Sequence, residues 1–154
     1  TLIDDLSNLN NLQILNIGNN NLNYLPKLPN SIKHLIINNN NINIINKFPA
    51  SLIRFDCSYN KFKSFSNFPS TLTILKCNNN LITCMPNLKK TSLYEFDCSN
   101  NKIQLIPEIP STLSICNIEN NNLIFKEQYE LKKLKEYWNM FDFLDFMDET
   151  ILCP

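Results

Sequence analysis

Few side chains in this sequence are equipped for covalent or metal chemistry, and their spacing works against it. His34 is the only histidine, so any nucleophile and base pair would have to be built around that one ring. The single glycine, Gly18, cannot supply a phosphate-cradling loop. Six cysteines are present without a CxxC spacing, which leaves a tetrahedral zinc site without its usual ligand pair. Asp56 and Asp97, with Lys76 between them, imitate the carboxylate pair of a hydrolase. Arg54 and Tyr59 belong to the residue types that dominate protein interfaces.

The elements that must position these residues are set by a repeat. An asparagine recurs at Asn20, Asn40, Asn60, Asn80, Asn101 and Asn121, eight residues after one apolar residue and two before another. Written from the first apolar position, the segments read LQILNIGNNNL, IKHLIINNNNI, LIRFDCSYNKF, LTILKCNNNLI, LYEFDCSNNKI and LSICNIENNNL, starting at Leu12, Ile32, Leu52, Leu72, Leu93 and Leu113. All match the leucine-rich repeat template, apolar at positions one, four, six and eleven with Asn at nine. The spacing is 20 residues except for one extra between the fourth and fifth segments, within Asn87 to Ser92, a change that loops absorb.

Positions three to seven alternate with period two, so four and six point inward and three, five and seven outward. Parallel strands of this kind, at about 4.8 Å each, make a sheet roughly 24 to 30 Å across. Its outward columns are Ile14, His34, Arg54, Ile74, Glu95 and Ile115 at position three, and Asn16, Ile36, Asp56, Lys76, Asp97 and Asn117 at position five, with Tyr59 at position eight. Mixed charge around an exposed tyrosine and isoleucines suits a protein surface. The bland alternative is a solvated sheet whose Arg54, Asp56, Lys76 and Asp97 neutralise one another across strands. Asp56 and Asp97 would lie about 9.6 Å apart between backbones, on an open sheet that excludes little water. Repeat geometry also sets no Ser or Cys beside His34, so a non-enzymatic protein without cofactor or metal is expected.

The position-nine asparagines end the strands, and an amide there can bond both a donor and an acceptor of neighbouring backbone. This is a structural ladder. Beyond it each repeat runs into proline, as in LPKLP at 25–29, FP at 48–49 and 68–69, MP at 85–86 and IPEIP at 106–110. Too little length remains for a three-turn helix, and proline favours an extended return. The same phase accounts for the two P-x-x-P spellings and sets Phe48, Phe55, Phe62, Phe65 and Phe68 in the core. Cys57, Cys77 and Cys98 occupy position six and Cys116 position four, where cysteine acts as a small buried hydrophobe. A disulfide or metal ladder is the alternative, but three thiols along one face lack tetrahedral geometry. A reducing cytoplasm is the expected location.

The expected organisation is an N-terminal cap or partial repeat over 1–11, six repeats over 12–123 and a helical cap over 124–154. Leu2, Ile3, Leu6, Leu9 and Leu12 continue the apolar spacing at the start. Glu127 to Met147 reads as helix, with Leu131, Leu134, Trp138, Phe141 and Leu144 on one face and Tyr137, Met140, Phe143 and Met147 as a second apolar set. That second set offers a route to docking or self-association. The fold class is thus a β-rich leucine-rich repeat solenoid, with a short parallel sheet on the concave face, an extended convex side and a C-terminal capping helix.

LPKLPNSIKHLIINNNNI, FPASLIRFDCSYNKF, FPSTLTILKCNNNLI and IPEIPSTLSICNIENNNL resemble the 20-residue repeats of bacterial type III effectors, the YopM and IpaH class. The resemblance covers Leu12 to about Leu123. It implies a scaffold that recognises host proteins, with the substrate-binding part of a larger ubiquitin ligase or adaptor, and a self-assembling structural protein, as alternatives. The bias toward Asn, Ile and Lys is similar to that of leucine-rich repeat proteins of A+T-rich giant viruses, amoebae or intracellular bacteria, which would place the protein in a host cytoplasm. Genome bias is then the cheaper account of the surplus asparagines.

The 14 basic and 14 acidic residues sum to zero net charge, which removes the electrostatic reason to expect nucleic acid or an anionic membrane as partner. No run approaches the roughly 18 apolar residues of a membrane span. A start at Thr1 instead of Met is expected of a piece of a longer product, and weakens any argument from a missing signal peptide. The 28 asparagines include no glycosylation sequon, against about three by chance. Another protein is therefore the expected partner, with His34, Arg54, Asp56, Tyr59, Lys76, Glu95 and Asp97 as the candidate contacts.

Overall fold

The computed structural model describes residues 5–124. Their strands are β1 (Ile14–Asn16), β2 (His34–Ile36), β3 (Arg54–Asp56), β4 (Ile74–Lys76), β5 (Glu95–Asp97) and β6 (Ile115–Asn117). They form a single parallel sheet in sequence order. Register runs Ile14, His34, Arg54, Ile74, Glu95, Ile115 from strand to strand, so equivalent repeat positions stand side by side.

Each strand is three residues long, shorter than the alternation over positions three to seven predicts. The reason lies at position eight. Asn19, Asn39, Tyr59, Asn79, Asn100 and Asn120 take φ between 52° and 56°, the left-handed region that turns an extended chain. Backbone bonding between repeats still runs on past the strands, from the amides of Ile17, Ile37 and Cys57 at position six to Ile36 O, Asp56 O and Lys76 O at 2.9, 2.8 and 2.8 Å, and from Asn19 and Asn20 at positions eight and nine to Asn38 O and Asn39 O at 2.8 and 3.1 Å.

The core is a strip made of repeat positions. Position one supplies Ile32, Leu52, Leu72 and Leu93, position four Leu35, Phe55, Leu75 and Phe96, and position eleven Ile42, Phe62, Ile82 and Ile103, all buried. Fully burying a side chain of this size contributes about 1.5 to 3 kcal/mol. The phenylalanines pack on one another, Phe48 against Phe55 edge-on at 5.4 Å and against Phe68 at 4.8 Å. Equivalent residues of the outer repeats, Leu12, Leu15 and Ile17 on one side and Leu113, Cys116 and Ile118 on the other, are only partly buried. A repeat with one described neighbour covers less of its apolar side.

No α-helix occurs among the described residues, and the segments after each asparagine carry no regular strand. Residues 5–11 hold turns and one parallel bridge, Asp5 to Lys27. The extra residue of the fourth interval sits in a turn over 89–91, closed by Thr91, whose N–H and hydroxyl both donate to Leu88 O at 2.9 and 2.6 Å. The helix expected over Glu127 to Met147, and with it the C-terminal cap, lies outside the described residues.

Candidate protein-recognition surface

The inner border of the surface is an asparagine ladder. Asn60 Nδ2 donates to Ile37 O one repeat back at 2.9 Å and to Cys57 O in its own repeat at 3.2 Å. Its Oδ1 accepts the Ile42 N–H at 3.0 Å. Asn80, Asn101 and Asn121 repeat the pattern, with Oδ1 accepting from Phe62, Ile82 and Ile103 at 3.0, 2.9 and 2.9 Å. Asn40 does the same with Leu22 at 2.9 Å. Asn20 is exposed and reaches only Ile17 O and Gly18 O of its own repeat.

A second ladder went unread in the sequence. Ser31, Thr71 and Thr112 precede position one, and their hydroxyls donate to the position-one carbonyls of the preceding repeat, Leu12, Leu52 and Leu93, at 2.8, 2.7 and 2.7 Å. The signal was a Ser or Thr before Ile32, Leu52, Leu72, Leu93 and Leu113.

On the outward columns, His34, Arg54, Asp56, Lys76, Glu95 and Asp97 are half-buried and Tyr59 is 54% exposed. Lys76 Nζ and Glu95 Oε1 meet at 2.8 Å, a diagonal pair between positions five and three. The direct register partners of Lys76, Asp56 and Asp97, form no ion pair with it among the described residues. Asp56 instead accepts from the Ser58 N–H at 3.2 Å and hydroxyl at 2.7 Å. Asp97 holds Ser99 in the same way at 3.0 and 2.8 Å. Oδ1 of each carboxylate thus caps the turn after its strand, β3 for Asp56 and β5 for Asp97. Arg54 stands alone among the column charges: its Nε is shut off from solvent without an acceptor, and no ion pair reaches it among the described residues.

Behind this face, Cys57, Cys77 and Cys98 are buried free thiols. Burial, reinforced by neighbouring acidic groups and thiols, pushes them well above the ordinary thiol range. Burial likewise raises Cys116 to about 12. Thiols so held carry almost no thiolate at neutral pH and act as apolar filling. Cys84 is exposed. Among the described residues no group of His, Cys, Asp and Glu is arranged to hold a metal ion, and no helix is long and apolar enough to cross a membrane.

A parallel sheet built from turns of about 20 residues and tied between repeats by the buried asparagines Asn40, Asn60, Asn80 and Asn101 defines a leucine-rich repeat protein. Among solved structures it is similar to YopM, a leucine-rich effector protein from Yersinia pestis, with 28% identity and a TM-score of 0.69 over 72% of this chain. It is also similar to YopM from Yersinia enterocolitica WA-314 (27%, TM-score 0.72, 74% of this chain) and to a Shigella effector leucine-rich repeat domain (26%, TM-score 0.72, 77% of this chain). The match spans 32%, 26% and 54% of those chains respectively. No protein-family model matches the sequence, and no curated protein matches it.

Proposed function

We propose that this chain is a recognition scaffold that binds a partner protein across the outward face of β1 to β6. One contrast carries the reading. The buried positions stay apolar in every repeat, filled by Leu, Ile, Phe or Cys, whereas the outward position-three column changes from Ile to His to Arg to Ile to Glu along a sheet of constant register. The core demands the former and leaves the latter free to vary. An uneven face of half-buried charges and isoleucines has the composition of an interface.

Under this reading the six asparagines are structural, and His34, Arg54, Asp56, Tyr59, Lys76, Glu95 and Asp97 include the contacts. Binding rather than catalysis fits an open face whose carboxylates already hold Ser58 and Ser99. Two of the solved proteins it resembles are named as effectors, which supports a modulator of host proteins acting in a host cytoplasm. The test is recovery of partners from cytosol with the wild-type chain and an Arg54→Glu, Tyr59→Ala double variant of equal thermal stability. The reading expects at least one partner to be lost; identical partner sets would overturn it.

A further inference from the structure

We propose that the third repeat is the recognition centre of this face, with Tyr59 as the aromatic anchor and Arg54 as the receptor for a carboxylate on an extended acidic segment of the partner protein. The proposal rests on the recognition reading above and deepens it.

Tyr59 departs from a rule the rest of the chain obeys. Position eight has φ near +54° in every repeat, and Asn fills it in all but the third. Asn tolerates the left-handed region through local hydrogen bonding, whereas a bulky side chain there is strained. The asparagines also link across repeats: Asn39 Nδ2 donates to Asn19 Oδ1 at 2.9 Å, and Asn120 Nδ2 to Asn100 Oδ1 at 3.0 Å. Tyr59 makes no such bond in this ridge among the described residues, and Asn79 and Asn100 make none with each other. The residue is 54% exposed, and its side chain has neither an aromatic partner nor a hydrogen bond among the described residues, so no specific contact offsets the strain. Strain kept without internal benefit points to an external one.

Arg54 is an independent sign in the same repeat. A desolvated N–H without an acceptor is costly, and neither Asp56, whose Oδ1 accepts from Ser58 at 2.7 Å, nor Glu95, whose Oε1 meets Lys76 at 2.8 Å, pairs with Arg54 among the described residues. The two terminal nitrogens of the guanidinium are not closed off in this way and hold no hydrogen bond or ion pair among the described residues, so they are suited to a carboxylate, which they grip with two parallel bonds. Arg54 opens β3 and Tyr59 lies five residues on, at most about 17 Å along extended chain. A partner segment of about five extended residues reaches both.

The test is selection of displayed 12-residue random peptides on the full wild-type chain, followed by titration of the synthesised winners. The proposal expects enrichment of Asp and Glu, and affinity at least about tenfold weaker in both Arg54→Gln and Tyr59→Asn. Replacing the peptide carboxylate by an amide should weaken wild type equally and add nothing to the loss in Arg54→Gln. Tyr59→Asn should also melt about 2 to 4 °C higher than wild type, a readout that needs no ligand. An empty selection, winners without acidic residues, or a Tyr59→Asn variant that melts no higher overturns the proposal. Peptides that ignore Arg54→Gln and Tyr59→Asn but are lost in Ile74→Asp overturn the third-repeat centre and leave the concave-face reading standing. Peptides indifferent to all three changes remove both.

Discussion

Asn60 and Ile42 belong to successive repeats, yet the Ile42 N–H ends on Asn60 Oδ1 at 3.0 Å inside the core. One amide thereby satisfies a backbone donor of the previous repeat while its own Nδ2 satisfies Ile37 O and Cys57 O. An aliphatic side chain would fill the space and orphan the Ile42 N–H, leaving Ile37 O and Cys57 O with only the Asn40 and Asn80 amides.

Asn60→Ala and Asn80→Ala are therefore expected to lower stability by about 1 to 3 kcal/mol, read as the shift in urea unfolding. Asn20→Ala, at an exposed position whose Oδ1 accepts no bond from another repeat among the described residues, should cost clearly less. Equal losses at Asn20 and Asn60 would show that the effect is not the buried inter-repeat bonds.

The left-handed turn at position eight gives a converse test away from the proposed centre. Asn39→Tyr forces a bulky residue into φ of 52° and removes the bond to Asn19. A loss of about 1 kcal/mol or more is expected, measured by the same unfolding curve. No loss would mean that the ridge accepts any side chain and that Tyr59 is not strained.

The buried thiols impose a pH dependence of known sign. Their protonated form is favoured by the fold, so their contribution is complete below the ordinary thiol value near 9 and is lost as pH rises from there toward the raised folded values. Stability should fall between pH 9 and 11 more steeply in wild type than in a Cys57→Val, Cys77→Val, Cys98→Val variant. Val suits that slot because Ile37 and Ile118 occupy it elsewhere. Parallel curves would contradict the assignment.

Thiol labelling follows from the same burial. In a Cys153→Ser background at neutral pH, Cys84 should react with a maleimide at once, and Cys57, Cys77, Cys98 and Cys116 only on unfolding. Mass spectrometry of the folded protein would show one adduct; rapid labelling at Cys77 would refute a closed core.

Much of this was legible in the sequence because a repeat samples each environment again and again. One Leu35 says little, but Leu35, Phe55, Leu75 and Phe96 at one phase identify the inward position, and the strands lie where that phase puts them. Two features were hidden for physical reasons. Strand length was misread because side-chain alternation continues to position seven while the regular strand ends at five, and Asn19 or Asn79 looks like any polar residue until its φ is known. Composition alone does not account for those asparagines, since each sits in the conformation Asn best tolerates. Within the candidate site, column membership was readable but pairing was not. Lys76 could face Asp56, Asp97 or Glu95, and side-chain reach chose Glu95, while Ser58 and Ser99 took the aspartates.

The central claim, that recognition occurs on the outward face of the sheet, is tested most directly by photo-crosslinking. A benzophenone amino acid placed at Ile74, in the middle of that face, is compared in cytosol with one at exposed Gln104, outside any strand. The account predicts a discrete protein adduct from position 74 and none from position 104. Adducts from 104 alone, or the same adducts from both, would contradict it.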